Sequence, residues 1–202
     1  VLAGTSFLEG LSGNGRQSIK VKICGLTNLG DARAAKDCGA DLLGFVLVEG
    51  SPRTLTLEAA LTIHRALPRG TDTVAVVRAN DPRIPSLLAG GFTYLQTIGG
   101  LASGVERSRQ IPVYHIGEGR SEGLHDPGLK LFDTFVSGMA GGTGRRFDTS
   151  LLEGAKGDFI IAGGLTSDTI CSALRCTPRP WGVDVSSGVE ARPGIKDHLA
   201  LK

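Results

Sequence analysis

Short apolar, β-branched segments alternate along the chain with segments that have the composition of helices. Eight strand-like segments recur in this way, at residues 21–23, 42–48, 73–77, 93–96, 111–115, 129–133, 158–162 and 182–185. Strands that alternate with helices pair in parallel through right-handed crossovers, and eight such units close into a barrel. The sequence therefore predicts an α/β fold, a single (β/α)8 TIM barrel.

An open, doubly wound sheet is the alternative architecture for alternating strands and helices. Its dinucleotide-binding form requires a GxGxxG turn after the first strand. This chain has the sequence CGLTN there, at residues 24–28. The number of units and the missing turn favour the barrel.

The helix-like segments differ in length and strength. Residues 31–38 and 57–67 predict helices, with Thr56 as the N-cap of the second. Residues 167–175 predict another helix, with Ser167 as its N-cap, and 195–201 predict a last one. The segments between the third and sixth strands are short, so we expect trimmed helices in the middle of the barrel and at the C-terminus.

Composition limits the classes of function. The chain has 202 residues, of which 41% are hydrophobic and 21% charged, and a formal net charge of +2. This charge is too small to indicate a nucleic-acid partner, and the longest apolar run is far shorter than the roughly 20 residues that span a bilayer. Residues 1–18, rich in Gly and Ser, predict a flexible leader or linker, and residues 19–202 predict the barrel domain.

The cysteines and histidines give no local metal pattern. The four cysteines have no CxxC spacing and the four histidines are scattered, so we expect no metal and a reducing, cytoplasmic location.

Candidate catalytic residues follow from the strand ends, because barrel enzymes carry their active sites at the carboxyl ends of the strands. Cys24 ends the first strand and Asp133 ends the sixth. A base and an acid on opposite sides of one barrel mouth could move protons on and off a bound sugar. From the pattern alone, a buried thiol and a loop-capping carboxylate remain alternatives.

A phosphate site is predicted after the seventh and eighth strands. Gly163 and Gly164 follow the seventh, and Ser186 and Ser187 follow the eighth. Small residues let main-chain N–H groups approach a phosphate, and this corner is the usual phosphate site of such barrels. Asp184, at the end of the eighth strand, is predicted to orient that backbone.

Two further segments extend the predicted site. Arg53, after the second strand, could bind a substrate carboxylate with two hydrogen bonds. The GGTGRR segment at residues 141–146 could close over the substrate and exclude water. A solvated surface arginine and a plain connector are the respective alternatives.

Five stretches of the sequence match one known family: VKICGLTN at 21–28, SPR at 51–53, LFDT at 131–134, GGTG at 141–144 and GVDVSSGVE at 182–190. With these motifs the chain resembles the phosphoribosylanthranilate isomerase family of tryptophan biosynthesis. They occur in the family's order and extend over about residues 20–198. The chain departs from the pattern at Ile98, where the family has a histidine.

The resemblance implies an Amadori rearrangement of N-(5′-phosphoribosyl)anthranilate to a carboxyphenylamino deoxyribulose phosphate. Asp133 matches the general acid, Cys24 the general base and Arg53 the residue that binds the anthranilate carboxylate. The backbone around Gly163 and Gly164, with that of Ser186 and Ser187, matches the phosphate site.

No cofactor or metal is implied, and the expected partner is a small phosphorylated substrate bound by a monomer or homodimer. A non-catalytic sugar-phosphate-binding barrel and an isomerase that also accepts a second aminoaldose remain alternatives.

Overall fold

Eight parallel strands form a closed barrel. The computed structural model describes residues 18–116, 122–133, 149–175 and 177–202. The strands pair in sequence order and the eighth pairs with the first. They are β1 (Lys20–Ile23), β2 (Leu42–Val46), β3 (Asp72–Arg78), β4 (Tyr94–Ile98), β5 (Gln110–His115), β6 (Lys130–Asp133), β7 (Phe159–Ala162) and β8 (Gly182–Val185). The predicted barrel is confirmed, and the open doubly wound sheet is wrong.

The helices outside the barrel shorten along the chain. Those in the described residues are α1 (Leu29–Asp37), α2 (Leu57–Arg65), α3 (Ile84–Ala89) and α4 (Ile170–Ala173). Thr56 caps α2 as predicted, because its side chain accepts a hydrogen bond from the amide of Ala59. Short 3-10 turns at Arg107–Arg109 and Thr149–Leu152 stand in segments where a full barrel has helices, which agrees with the expected trimming.

The helix predicted at residues 195–201 is wrong. The segment begins with β10 (Ile195–Lys196), which pairs antiparallel with β9 (Glu190–Arg192). The amide of Lys196 donates to Oδ2 of Asp31 at 2.8 Å, which ties this hairpin to the first turn of α1. Tertiary hydrogen bonds therefore override the helical pattern of this segment.

Side chains of the strands alternate between two cores, because successive residues of a strand point to opposite faces. Leu43 and Phe45 belong to the large core between the barrel and its helices. The intervening residue Leu42 packs instead inside the barrel, in a cluster with inward residues of four other strands: Val74, Ile111, Leu131, Ile160 and Ala162. This apolar cluster lies inside the barrel, and the buried polar side chains of Lys22 and Asp184 share the interior with it.

Candidate active site

Cys24 follows directly after β1 and faces the interior of the barrel. Its amide donates to the carbonyl of Val185 at 2.8 Å, so the last residues of β1 and β8 are held together. Its side chain packs with Val46 and Val76, and Ile98 contacts this cluster. Burial among these apolar groups raises the pKa of the Cys24 thiol, although Lys22 nearby acts in the opposite direction.

Lys22 and Asp184 form a buried ion pair below the thiol. The Lys22 Nζ donates to Oδ1 of Asp184 at 2.9 Å, and the lysine side chain is fully buried. The carboxylate predicted to orient the β8 backbone therefore accepts from a lysine inside the barrel. Sequence analysis missed Lys22, although its position two residues before Cys24 puts both side chains on the same face of β1.

Asp133 is the last residue of β6. It is level with His115 of β5 and Ala162 of β7 in the strand register. Leu131, two residues earlier, belongs to the cluster inside the barrel, so alternation along the strand puts Asp133 on the inward face as well. The structure thus brings a thiol after β1 and a carboxyl at the end of β6 to one mouth of the barrel.

The side chain of Arg53 lies at the barrel mouth, next to the residues that follow β1 and β8. A Cβ on Gly25 would lie 2.5 Å from Cδ of Arg53 and 2.9 Å from Oγ of Ser186. The glycine at position 25, whose φ is +75°, therefore lets the arginine side chain cross close to the backbone that follows Cys24.

Glu190, which sequence analysis gave no role, holds Arg53. Its Oε1 accepts from the arginine Nε at 2.8 Å and its Oε2 accepts from Nη2 at 2.6 Å. Burial opposes ionisation of Glu190, but hydrogen bonds from Arg53 and Lys196 outweigh it and keep the pKa of Glu190 below its usual value. The Nη1–Nη2 edge of the guanidinium is the one that faces away from this pair.

The predicted phosphate corner lies where the loops after β7 and β8 touch. Gly163 and Gly164 both have positive φ values, +102° and +60°. A Cβ on Gly188 would lie 1.9 Å from the carbonyl oxygen of Leu165, so the two loops pack backbone against backbone. The loops after β7 and β8 therefore lie against each other at the corner where the sequence predicts an anion site.

The helix after this corner differs from the prediction. Ser167 is not an N-cap, because α4 begins at Ile170 and the residue before it, Thr169, makes no side-chain cap. Thr169 Oγ1 instead accepts from the amide of Thr166 at 2.9 Å. A four-residue helix contributes little dipole, so the loop amides are the main candidates for contacts with an anion.

The predicted closing loop at residues 141–146 lies outside the described residues. Within the described part of the chain, no group of three or more His, Cys, Asp or Glu side chains could hold a metal ion. No helix there is long and apolar enough to cross a membrane.

The closed barrel and the acid, thiol and arginine at its carboxyl-terminal mouth define a (β/α)8-barrel enzyme. A family model described as N-(5′-phosphoribosyl)anthranilate isomerase matches residues 120–202. The enzyme of that name from Pelobacter propionicus is 42% identical over 199 residues, which cover 91% of this chain and 92% of that protein. The chain belongs to the N-(5′-phosphoribosyl)anthranilate isomerase family.

Solved structures of the family agree with this assignment. The chain resembles phosphoribosyl anthranilate isomerase from Thermotoga maritima with a TM-score of 0.80 and 31% identity, covering 91% of this chain and 95% of that one. A second isomerase structure, at a TM-score of 0.74 and 28% identity, covers 91% of this chain and 94% of that one. That isomerase was solved in complex with reduced 1-(o-carboxyphenylamino)-1-deoxyribulose 5-phosphate.

Proposed function

We propose that this protein catalyses the Amadori rearrangement of N-(5′-phosphoribosyl)anthranilate to 1-(2-carboxyphenylamino)-1-deoxyribulose 5-phosphate in tryptophan biosynthesis. Membership in the isomerase family supports the activity. The observation that carries the proposal is the placement of Cys24 after β1 and Asp133 at the end of β6, both on the inward face at one mouth of the barrel. An acid and a base on separate strands can act on different atoms of one sugar.

Asp133 acts first, as the general acid. Its carboxyl proton passes to the furanose ring oxygen, the bond between that oxygen and C1 breaks, and the anilino nitrogen lone pair forms an iminium ion with C1. Cys24 then acts as the general base, and its thiolate takes the C2 proton. The C2–H electrons form the enolamine, which tautomerises to the ketone, so the product is an isomer of the substrate.

Arg53 binds the anthranilate carboxylate in this proposal. Its Nε and Nη2 already contact Glu190, so the substrate carboxylate uses the Nη1–Nη2 edge. The pairing with Glu190 thus limits the two-point contact predicted from the sequence to one edge of the guanidinium.

The phosphate binds at the corner formed by the two Gly and two Ser residues after β7 and β8. Support comes from the close packing of Gly188 on Leu165, which brings the two loops together, and from their small residues, which let main-chain N–H groups approach a phosphate. Main-chain amides hold the phosphate while Cys24 and Asp133 act on the ribose. The Cys24 thiol must stay reduced to act as a base, so we also propose a cytoplasmic location.

The direct test is turnover of N-(5′-phosphoribosyl)anthranilate, followed as loss of its anthranilate-type fluorescence. The wild-type protein, without added cofactor and with EDTA present, should consume the substrate in proportion to enzyme concentration. The matched control is the double variant Cys24→Ala/Asp133→Asn, which corrects for spontaneous decay of the substrate. Absence of turnover by wild-type protein with a native circular dichroism spectrum would contradict the proposal.

A further inference from the structure

Lys22 is a fully buried lysine inside the barrel, and the proposed rearrangement gives it no direct task. Its side chain has no exposure to solvent, and its Nζ lies 2.9 Å from Oδ1 of Asp184. Burying an ion pair is costly, and apolar residues of similar volume often serve stability equally well. A charged pair at this depth therefore calls for a role other than stability.

Gly44 of β2 shows how close Lys22 is to the thiol. A Cβ built on Gly44 would lie 2.9 Å from Sγ of Cys24 and 3.0 Å from Nζ of Lys22. The sulfur of Cys24 and the ammonium group of Lys22 thus both pack against Cα of Gly44, where only a hydrogen atom fits. Since Lys22 and Cys24 are two residues apart on the inward face of β1, the ammonium is below the thiol.

Among the residues that the structure describes, four charged groups act on Cys24 from the surrounding elements. They are Lys22 on β1, Asp184 on β8, Lys196 on β10 and Arg53 in the loop after β2. Lys196 and Arg53 are shared with the carboxylate of Glu190. Lys22, in contrast, has no contact with Glu190 among those described, and it lies two residues before Cys24 in the same stretch of backbone.

We propose that Lys22 is a positioning residue that stabilises the thiolate form of Cys24 and holds its sulfur toward the substrate, with Asp184 fixing the ammonium group. The inference rests on the proposed function, in which Cys24 must be ionised to take the C2 proton. A buried thiolate is unfavourable among apolar groups, and an adjacent ammonium group offsets that cost.

The titration directions agree with this role. Burial lowers the pKa of Lys22, but Asp184 and Cys24 outweigh it, so the pKa of Lys22 lies above its usual value and the group stays charged. For Cys24, burial raises the pKa most, Lys22 lowers it and Asp184 raises it. Removal of the lysine charge and removal of the aspartate charge should therefore change the thiol pKa in opposite directions.

The test measures the thiol itself and needs no turnover. Lys22→Met, Asp184→Asn and the double variant are treated with iodoacetamide over a range of pH, and alkylation of the Cys24 peptide is followed by mass spectrometry. Cys38, an exposed free thiol, is the internal control. We expect the pH midpoint for Cys24 to rise by about one pH unit or more in Lys22→Met and to fall in Asp184→Asn, with Cys38 unchanged.

Enzyme kinetics give an independent readout. In Lys22→Met, kcat at neutral pH should fall about tenfold or more and recover partly at higher pH, with KM within about threefold of wild type.

If Lys22→Met does not fold, the Asp184→Asn and double variants decide, because removing Lys22 in the Asp184→Asn background should raise the pH midpoint for alkylation of Cys24. Midpoints that stay constant, or that move in the same direction in both single variants, would overturn the inference. Such a result with normal wild-type turnover would leave the proposed function intact, whereas an inactive wild type with the expected midpoints would contradict only the function.

Discussion

Arg53 and Glu190 form a two-point ion pair across the mouth of the barrel, although they lie 137 positions apart in the chain. Both carboxylate oxygens are engaged, and Lys196 adds a third contact to Oε1 at 3.0 Å. The glutamate side chain is only 4% exposed, so the pair is protected from screening by water. This geometry fixes the plane of the guanidinium and therefore the direction in which its outer edge can bind a carboxylate.

Replacing Glu190 with Gln should weaken substrate binding more than it slows the chemistry. The amide presents an NH2 group to one guanidinium nitrogen and leaves two cations without their carboxylate. We expect KM to rise about tenfold, which corresponds to about 1.4 kcal/mol, with kcat within about threefold of wild type. The free energy of unfolding should fall by about 3 kcal/mol. Steady-state kinetics and urea unfolding measure the two effects.

The matched control for this variant is Glu58→Gln. Glu58 is exposed in the first turn of α2, away from the barrel mouth, and its replacement should leave both kinetic constants unchanged. A fall in kcat at constant KM for Glu190→Gln would mean that Glu190 acts on the chemical step and not on the orientation of Arg53.

Gly44→Ala should slow the reaction although it replaces no titratable residue. The new Cβ would lie 2.9 Å from the sulfur of Cys24 and 3.1 Å from its Cα, so the thiol must move. A displacement of about 1 Å at a reacting atom can cost about 100-fold. We expect kcat to fall at least tenfold, measured by fluorescence-monitored turnover.

The control for that change is Gly30→Ala, at an exposed position of α1. Alanine is the better helix former, but its Cβ would lie 3.3 Å from Oδ1 of the N-cap Asn28, so we expect little change in thermal stability and a constant kcat. Full activity of Gly44→Ala would show that the thiol does not occupy the position required of the base.

Asp133→Asn should remove the general acid. An amide has nearly the same shape as the carboxyl but cannot protonate the ring oxygen, so kcat should fall about 100-fold or more. Asp72→Asn, at the exposed start of β3 on the opposite end of the barrel, is the control. Turnover of Asp133→Asn at the wild-type rate would assign the acid role to another residue.

The strands could be predicted from the sequence because their physics is local. Continuous apolar runs such as that of β2, whose five residues are all buried, indicate strands covered on both faces. Alternation along β1 is also enough to put Lys22 on the same face as Cys24, because the two residues are two positions apart. The residues at the strand ends were therefore accessible to sequence reasoning.

The partners of the residues at the strand ends could not be predicted from the sequence. Lys22 and Asp184 are 162 positions apart, and their pairing follows from the closure of β8 on β1. Arg53 meets Glu190, which lies in β9, and β9 pairs with β10 in the segment at residues 195–201 that the sequence predicted as a helix. Long-range hydrogen bonds, such as that from the Lys196 amide to Asp31, determine the conformation of that segment, and the spacing of its residues does not reveal them.

Asp31 should make the stability of the protein depend on pH through this hairpin. Burial opposes its ionisation, but hydrogen bonds from the Lys196 amide and from His198 and Asn28 outweigh it, so the pKa of Asp31 is below its usual value. A carboxylate whose pKa is lowered by folding stabilises the folded protein at pH values above its unfolded pKa of about 4. This stabilisation is lost as the pH falls through the folded-state pKa. Urea unfolding should therefore show Asp31→Asn less stable than wild type by about 2 kcal/mol at pH 7, with a smaller difference near pH 3. Asp37→Asn, at an exposed position of α1, is the control and should differ little from wild type in stability at either pH. If Asp31→Asn lost the same free energy of unfolding at pH 7 and pH 3, the carboxylate charge would be excluded as the cause.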